Sequence, residues 1–419
     1  MAFSSGRAGR AGDDRFFCEK SCSCPAVASP VTAPLQFFLI AGEPSGDRLG
    51  AALMAGLKVL APGCRFSGIG GPAMQAEGLD SLFPMEELSI MGLVEVLPKY
   101  FHLKRRIREA ADAVLQDRPA ALITIDSPDF CLRVAALVKA ADVAQRTIHY
   151  VAPSVWAWRP GRAAKMARHI DHVLALLPFE PPYMTAAGMT CDFVGHPVVS
   201  EPVASDAQAQ AFRAAHGIAV DAPLVVALPG SRRGEIARLV PPIGETLAQV
   251  AREVPGLRVV LPTPGHLAAS LHEATSGWAA PPVILPAPDL LQRTAAFAAA
   301  DAALAASGTV SLELAAQGCP MVIAYDMAPM TLWLMRRMAR IDTVTLVNLV
   351  SDTRTVPEFI GPDCRAAKIA PALTALLQHG PGRQAEAMAL TMQRLGRGGE
   401  PPGLRAAASV VAHLGAHLE

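Results

Sequence analysis

The sequence predicts an α/β protein whose two similar lobes face each other across a cleft. Short apolar runs alternate with helix-like segments from Leu35 onward, which is the pattern of βαβ units with parallel sheets. The alternation restarts after a proline-rich passage that runs from Pro178 to Pro202. A chain of 419 residues also exceeds the size of one ordinary core, so two domains are expected.

Apolar runs predict the strands of the first half. These runs are Leu35–Ala41, Arg65–Gly68, Ala120–Asp126, Thr147–Val151 and His172–Leu177. A glycine-bearing turn after the first run leads into a helix, and another helix is expected from about Phe130 to Ala141. The passage from Pro178 to Pro202 has the composition of a linker between lobes.

The second half repeats this organisation. Its predicted strands are Leu224–Leu228, Arg258–Leu261, Val283–Leu285, Ala302–Ala305 and Met321–Ala324. The segment from Gln384 to Leu418 is expected to be helical with a break at the sequence RGGEPPG. The sequence leaves open whether this last segment returns to cover the first lobe.

Composition excludes several classes of protein. Hydrophobic residues make up 51% and charged residues 18%, which is unlike a disordered chain. The 37 basic residues balance the 37 acidic ones and aromatic residues are only 5%, so neither charge nor stacking favours nucleic acid. Residues 1–33 lack periodicity and are predicted to be disordered, without the apolar core of a signal peptide. Because no apolar run spans a bilayer, we expect a soluble or peripheral protein.

The cysteines do not predict a metal site. Five of the eight are scattered singly among apolar neighbours, as in a reducing compartment. Cys18, Cys22 and Cys24 form a cluster, but no second CxxC or HxxxH pair accompanies it.

Two features of the first half suggest chemistry. Glycines in the turn from Gly42 to Gly50 allow a ligand close to the backbone, although Ser45 or Asp47 would equally serve as an N-cap. Asp126 ends a predicted strand, where a carboxylate can take a proton from an attacking hydroxyl. The alternative is that Asp126 or Asp129 caps the next helix.

The equivalent turns of the second half suggest a phosphate site. Gly230 frees the backbone of the sequence PGSRRGE, and Arg232 offers a charged fork to phosphate oxygens, unless it is an exposed capping arginine. Gly308 and Thr309 would open a helix facing the same cleft. Glu313 lies one turn further, where it would accept ribose hydroxyls or simply face solvent.

Two stretches combine apolar and basic residues. Residues 88–108 and residues 327–340 have the composition of surfaces that contact acyl chains and anionic head groups. A solvated helix face is the alternative for each stretch.

With these residues in view, the chain resembles the lipid-A-disaccharide synthases, bacterial glycosyltransferases of the GT-B fold. The resemblance runs from about Phe37 to Glu358. It rests on the sequences AGEPSGDRLGA, GIGGPAMQAEG, MEELSIMGLVEVL, IDSPDF, IHYVAPSVWAWRPGR, LPFE, VGHPVV, LPGSRRGEI, SGTVSLELA and CPMVIAY. VAPSVWAWR and MGLVEVL are specific, because glycosyltransferases in general do not contain them.

The resemblance implies a reaction, in which UDP-2,3-diacylglucosamine gives its sugar to the 6-hydroxyl of 2,3-diacylglucosamine 1-phosphate. The products are the β-1,6-linked disaccharide 1-phosphate and UDP, with inversion at the anomeric carbon. No cofactor or metal is implied, and the sequence offers no DxD-type carboxylate pair for Mg²⁺. The protein would act as a peripheral enzyme on the cytoplasmic face of the inner membrane, without nucleic acid.

Position by position, the resemblance assigns Asp126 as the general base. The implied donor-binding residues are Gly230, Ser231, Arg232, Gly308, Thr309, Glu313 and Asn348. The implied acceptor-binding residues are Ser45, Gly46 and Asp47. The residues expected to contact membrane or acyl chains are Met91, Val94, Leu97, Lys104, Arg105 and Arg106.

The implied domains are Rossmann-like: an acceptor domain at residues 34–198 and a UDP-sugar domain at residues 199–382. The C-terminal helices would occupy residues 383–419. The chain departs from the family at Ala328-Pro329, where Lys-Pro is usual, and at Val347, where proline is usual. The rival interpretations are a UDP-sugar epimerase, a lipid II-type N-acetylglucosaminyltransferase, and a non-catalytic module that binds nucleotide sugars or anionic lipids.

Overall fold

The computed structural model describes residues 34–88 and 93–415, apart from the side chains of residues 93–100 and of Arg336. Met91 and the side chains of Val94 and Leu97 are therefore outside the described residues. The prediction of disorder for residues 1–33 also lies outside them, and so does the cysteine cluster of that segment.

The first lobe is built on a parallel sheet of seven strands in the order β3-β2-β1-β4-β5-β6-β7. Its strands are β1 Gln36–Ala41, β2 Arg65–Ile69, β3 Asp80–Ser81, β4 Ala121–Ile125, β5 Thr147–Tyr150, β6 His172–Ala175 and β7 Thr190–Phe193. The central strands are buried on both faces, since helices cover both. This is why they are continuous apolar runs rather than alternating patterns.

The second lobe has a parallel sheet of six strands in the order β10-β9-β8-β11-β12-β13. Its strands are β8 Leu224–Leu228, β9 Arg258–Thr263, β10 Val283–Pro286, β11 Ala302–Ala305, β12 Met321–Tyr325 and β13 Glu358–Ile360. In both sheets the order reverses beside the first strand of the lobe, and the carboxyl edge at that reversal is where ligands bind in such folds.

Helices connect the strands and cover the sheets. In the first lobe they are α1 Pro44–Leu60, α2 Pro72–Ala76, α3 Leu93–Asp117, α4 Pro128–Ala141, α5 Gly161–Met166 and α6 Pro181–Thr185. The remaining helices are α7 Asp206–Ala215, α8 Arg233–Glu253, α9 Ala268–Thr275, α10 Leu290–Ala299, α11 Val310–Ala316, α12 Pro329–Met338, α13 Leu346–Ser351, α14 Ala366–His379, α15 Arg383–Arg394 and α16 Pro402–Gly415.

The predicted strands all occur, but the linker prediction is wrong over much of its length. The passage from Pro178 to Pro202 contains helix α6 and the edge strand β7. Strand β7 is only partly buried, with a polar threonine and aspartate, so it has no apolar run to reveal it. The short strands β3 and β13 were also not predicted, for the same reason.

The last helix packs on the first lobe. Helices α1 and α16 cross closely, because a Cβ atom on Gly56 would lie 2.7 Å from the carbonyl oxygen of Gly403. Ala406, Ala407 and Val410 of α16 join the core that includes β1 and β4. The break before α16 therefore lets the chain leave the second lobe and return to the first.

Candidate active site at the facing carboxyl edges

Two loops meet at the carboxyl edge of the first sheet. Ala41 at the end of β1 pairs with Ile125 at the end of β4, so Glu43 and Asp126 emerge side by side. The approach of the loops requires glycine at residue 42, because a Cβ atom there would lie 2.5 Å from the Ser127 hydroxyl oxygen. This contact fixes the spacing between the two carboxyl-bearing turns.

Asp126 sits in a strained turn. Asp126 and Ser127 have φ angles of 51° and 43°, in the left-handed region that residues other than glycine rarely adopt. The backbone N–H of Asp126 donates to the carbonyl of Tyr150 at 2.9 Å, which anchors the turn to β5. Burial raises the pKa of the Asp126 carboxyl, while the Ser127 backbone N–H acts in the opposite direction. A carboxylate held in this way is a stronger base than an exposed aspartate.

A cavity of about 520 Å³ opens at the carboxyl edge of the second sheet. Its walls come from the ends of β8, β9 and β11 and from the turns that follow. The lining includes the predicted donor-binding residues Gly230, Ser231, Arg232, Gly308, Thr309 and Glu313, together with Thr263, Pro288, Arg293 and Phe297. The lining combines charged and polar groups with proline, alanine and phenylalanine, which suits a ligand with both charged and apolar parts.

Arg232 projects from the turn after β8. Its side chain is 66% exposed, and its only close partner among the described residues is Glu235, at 3.5 Å. Gly230 has a φ angle of 104° and lies against the Glu235 carboxylate, which also accepts from the Ser231 backbone N–H at 3.2 Å. The glycine and Glu235 thus shape the turn, and the guanidinium is left available to an anion.

Glu313 is held by a basic partner within the cavity. Arg293 Nε of helix α10 lies 3.3 Å from Glu313 Oε2. Burial raises the pKa of Glu313, whereas the charges of Arg293 and of Arg48 in the first lobe lower it. Arg48 therefore lies close enough to Glu313 for their charges to interact across the two lobes.

Glu43 lies near charged groups of both lobes. Burial raises the pKa of Glu43, the charge of Asp126 raises it further, and the charge of Arg232 in the second lobe lowers it. Glu43 is thus near both the predicted base of one lobe and the predicted phosphate-binding arginine of the other. Glu43 therefore links the two carboxyl edges electrostatically.

Some predicted site residues have internal roles instead. The Asp47 carboxylate is 4% exposed and accepts from the backbone N–H groups of Gly71, Ala73 and Met74, at 2.9, 2.9 and 3.0 Å. It caps α2 and is not free to bind an acceptor. Gly46 packs against Ala41 and the Ile125 carbonyl, so of the predicted acceptor residues only Ser45 is exposed.

Asn348 also points inward. It is 1% exposed, its amide group donates to the Val356 carbonyl at 2.9 Å, and its oxygen accepts from the Val356 N–H at 3.0 Å. Both ends of the side chain are occupied, and Asn348 does not line the 520 Å³ cavity. In this structure it braces α13 against the segment before β13.

The basic residues of α3 that were predicted to contact the membrane differ in their exposure. Lys104 and Arg105 are exposed. Arg106 instead donates to Glu87 and Glu109, in each case at 2.8 Å, and its side chain is only 18% exposed. The positive charge of Arg106 is therefore paired with carboxylates of the first lobe.

Glu43, Arg48 and Arg293 are site residues that sequence reasoning did not single out. Glu43 and Arg48 stand inside the turn that was identified, so their position was a usable signal. Arg293 lies far from every motif in sequence, and only the fold brings it to the cavity.

Within residues 34–88 and 93–415, no group of three or more His, Cys, Asp or Glu side chains is arranged to hold a metal ion. None of the described helices is long and apolar enough to cross a membrane.

Comparison with known proteins gives the family. A family model described as lipid-A-disaccharide synthetase matches residues 37–400. The chain belongs to the lipid-A-disaccharide synthetase family. It is 61% identical over 387 residues to the lipid-A-disaccharide synthase of Ruegeria pomeroyi, covering 91% of this chain and 96% of that protein. It is 48% identical over 381 residues to the enzyme of the same name from Rhodospirillum centenum, covering 90% and 94%.

Solved structures of distant proteins share the fold of this family member. The UDP-GlcNAc 2-epimerase of Neisseria meningitidis, bound to UDP-GlcNAc, aligns with a TM-score of 0.59 at 12% identity, covering 91% of this chain and 99% of that one. MurG of Acinetobacter baumannii aligns with a TM-score of 0.53 at 15% identity, covering 91% and 100%. The architecture is thus the GT-B fold expected from the sequence.

Proposed function

We propose that this chain transfers diacylglucosamine from UDP-2,3-diacylglucosamine to the 6-hydroxyl of 2,3-diacylglucosamine 1-phosphate. The observation that carries the proposal is the position of Glu43, which emerges beside Asp126 at the ends of β1 and β4 and lies close enough to Arg232 for their charges to interact. The proposed base and the proposed phosphate-binding cation would therefore act near the same carboxylate, as transfer from a nucleotide diphosphate to a hydroxyl requires. Membership of the family supplies the identity of the two substrates.

The second lobe would bind the donor. Arg232 is exposed at the mouth of the cavity and would hold the diphosphate, since a guanidinium offers two parallel hydrogen bonds to phosphate oxygens. Glu313, oriented by Arg293, would accept hydrogen bonds from the ribose hydroxyls. Gly308 and Thr309 line the same cavity and would approach the phosphates through their backbone.

Asp126 would act as the general base of a single displacement. It takes the proton of the acceptor 6-hydroxyl while that oxygen forms a bond to the anomeric carbon of the donor. The bond from this carbon to the β-phosphate oxygen breaks, and its electron pair leaves with UDP. Attack opposite the leaving group inverts the anomeric centre, which gives the β-1,6 linkage. Arg232 would stabilise the charge that develops on the diphosphate.

The substrates carry acyl chains, so the enzyme would work at a lipid surface, the cytoplasmic face of the inner membrane. The exposed Lys104 and Arg105 of α3 would attract anionic head groups there. The domain limits predicted from sequence complete the proposal, with residues 34–198 serving the acceptor and residues 199–382 the donor.

Turnover with purified lipids in detergent tests the proposal. UDP release that requires both lipids is expected of the transferase. Release from the donor alone would indicate hydrolysis or an epimerase-like reaction, and UDP binding without turnover would indicate a binding module.

The Asp126→Asn variant separates the chemical step from binding. Its rate is expected to fall on the order of 10²- to 10⁴-fold, with UDP affinity unchanged. Asp129→Asn is the matched control, because Asp129 is exposed on the first turn of the same helix. An Asp126→Asn variant with near-full rate would remove the proposed base.

A further inference from the structure

Helix α12 in the second lobe presents an unusual outer face. Met330, Trp333 and Leu334 are 79%, 64% and 44% exposed, and Arg337 is exposed as well. Their spacing places all four on one side of an α-helix. Large apolar side chains normally avoid such clustering on a surface unless a partner covers them.

Contacts on the opposite side of α12 fix the orientation of this face. Leu332 is 9% exposed and lies against Gly361, where a Cβ atom would come within 2.3 Å of the leucine Cδ2. Just beyond the helix, the Arg340 backbone N–H donates to the Ala157 carbonyl of the first lobe at 3.1 Å. The helix is thus attached to both lobes, and its apolar side cannot turn inward without breaking these contacts.

Charge indicates what covers the face. The helix sequence, PMTLWLMRRM, contains no acidic residue. Exposed Arg337 and Arg340 follow the apolar cluster, and Asp342 beyond them is paired with Arg354 at 2.6 Å. A tryptophan beside methionine and leucine, with arginines at the rim, is the composition of a helix that lies in the interface of an anionic bilayer.

A second copy of the chain fits this face less well. A stable protein interface buries about 800 Å² on each partner, which is more than three side chains supply. A bilayer needs only a shallow insertion of the apolar side chains, with the arginines held among the phosphates.

The helix follows strand β12, whose last residue is Tyr325. Burial and the charge of Glu235 raise the pKa of Tyr325, and the charge of Arg232 lowers it. The strand that leads into α12 therefore ends near the turn that would hold the diphosphate.

We propose that the outer face of α12, formed by Met330, Trp333, Leu334 and Arg337, inserts into the surface of an anionic lipid bilayer. The inference rests on the proposed function, because it gives the donor side of that site its own membrane contact. The acyl chains of the donor can then remain in the bilayer while its nucleotide enters the cavity of the second lobe.

Vesicle sedimentation with the full-length protein tests this inference. The vesicles contain phosphatidylcholine and phosphatidylglycerol, and pure phosphatidylcholine vesicles are the comparison. The double variant Met330→Ser/Trp333→Ser is expected to lower the partition coefficient at least about tenfold. Arg337→Gln is expected to lower it about fivefold on the anionic vesicles only.

The matched control is Val143→Ser/Val220→Ser. These valines are 81% and 76% exposed on other parts of the surface, so their loss should not change partitioning. UDP binding by calorimetry and turnover in detergent should remain within about twofold of the parent for the α12 variants.

The outcomes separate this inference from the proposed function. Unchanged vesicle binding in the α12 double variant would overturn the inference, even if turnover shows the transferase. A loss of self-association by light scattering, with vesicle binding retained, would assign the face to a second copy instead. If the parent protein does not turn over the substrates but the α12 double variant loses vesicle binding, the inference stands and the proposed reaction fails.

Discussion

Glu43 and Asp126 lie close together where β1 and β4 end, and they are not equivalent. Burial raises the pKa of both carboxyl groups, but that of Glu43 is raised further by the charge of Asp126. The negative charge of Asp126 therefore opposes the ionisation of Glu43. Burial makes the Asp126 carboxylate a stronger proton acceptor than an exposed aspartate.

The first prediction concerns the pH dependence of the rate. A base with a raised pKa is lost to protonation at a higher pH than an ordinary aspartate, so kcat/KM should fall on the acid side through that raised pKa. Glu43→Gln should keep this acid limb in place, because burial rather than Glu43 raises the pKa of Asp126. Rates measured across pH at constant ionic strength check this. If the acid-side fall of kcat/KM in Glu43→Gln moved to the pH at which exposed aspartates titrate, Glu43 would be the group that raises the pKa of the base.

The second prediction makes Arg293 a positioning residue that acts through Glu313. Arg293→Gln removes the partner that orients the carboxylate at 3.3 Å. UDP affinity should fall about three- to tenfold, as for one lost hydrogen bond, with a smaller loss for 2′-deoxy-UDP. Combined with Glu313→Gln, the effects should not add.

Calorimetric titration with both nucleotides measures the change. Arg252→Gln, on the exposed last turn of α8, is the control and should bind like the parent. An equal loss for UDP and 2′-deoxy-UDP would show that Arg293 contacts the diphosphate directly.

The third prediction assigns Asp47 to stability. Asp47→Ala would leave three backbone N–H groups without their acceptor, at a cost of about 3 kcal/mol or more. Asp129→Ala removes an exposed carboxylate from the first turn of α4 and should cost under about 1 kcal/mol. Thermal unfolding of both variants makes the comparison. If Asp47→Ala unfolded at the normal temperature but had a raised KM for the acceptor, Asp47 would have to be assigned to the acceptor site.

Sequence reasoning found the sheets because their central strands are continuous apolar runs, as β4 shows with five buried residues. It missed β7 because an edge strand needs no such run. It located the turns that carry Asp126 and Arg232, since glycine and strand ends mark them. It did not tell that Asp47 and Asn348 point inward, because the direction of a polar side chain depends on which backbone groups the fold brings near.

The fourth prediction concerns acid stability at the contact between α16 and the first sheet. The His172 ring has the hydroxyls of Thr190 and Ser409 at 2.7 Å, and it stacks on His413 at 4.6 Å. Burial and the charge of His413 lower its pKa to about 4, although Asp192 opposes this.

A histidine in the unfolded chain has a pKa of about 6.5. Between that pH and about pH 4, His172 is therefore protonated in the unfolded chain but neutral in the folded one. The stabilisation is complete above about pH 6.5 and should be lost as the pH falls towards 4, by an amount on the order of 3 kcal/mol. His172→Gln should reduce the acid slope of the unfolding free energy by about one proton, whereas His272→Gln, at an exposed position of α9, should not. Unfolding in urea across this range supplies the slopes. If His172→Gln keeps the full slope, the proton is taken up elsewhere, and the buried His149, whose pKa is also lowered to about 4, becomes the next residue to replace.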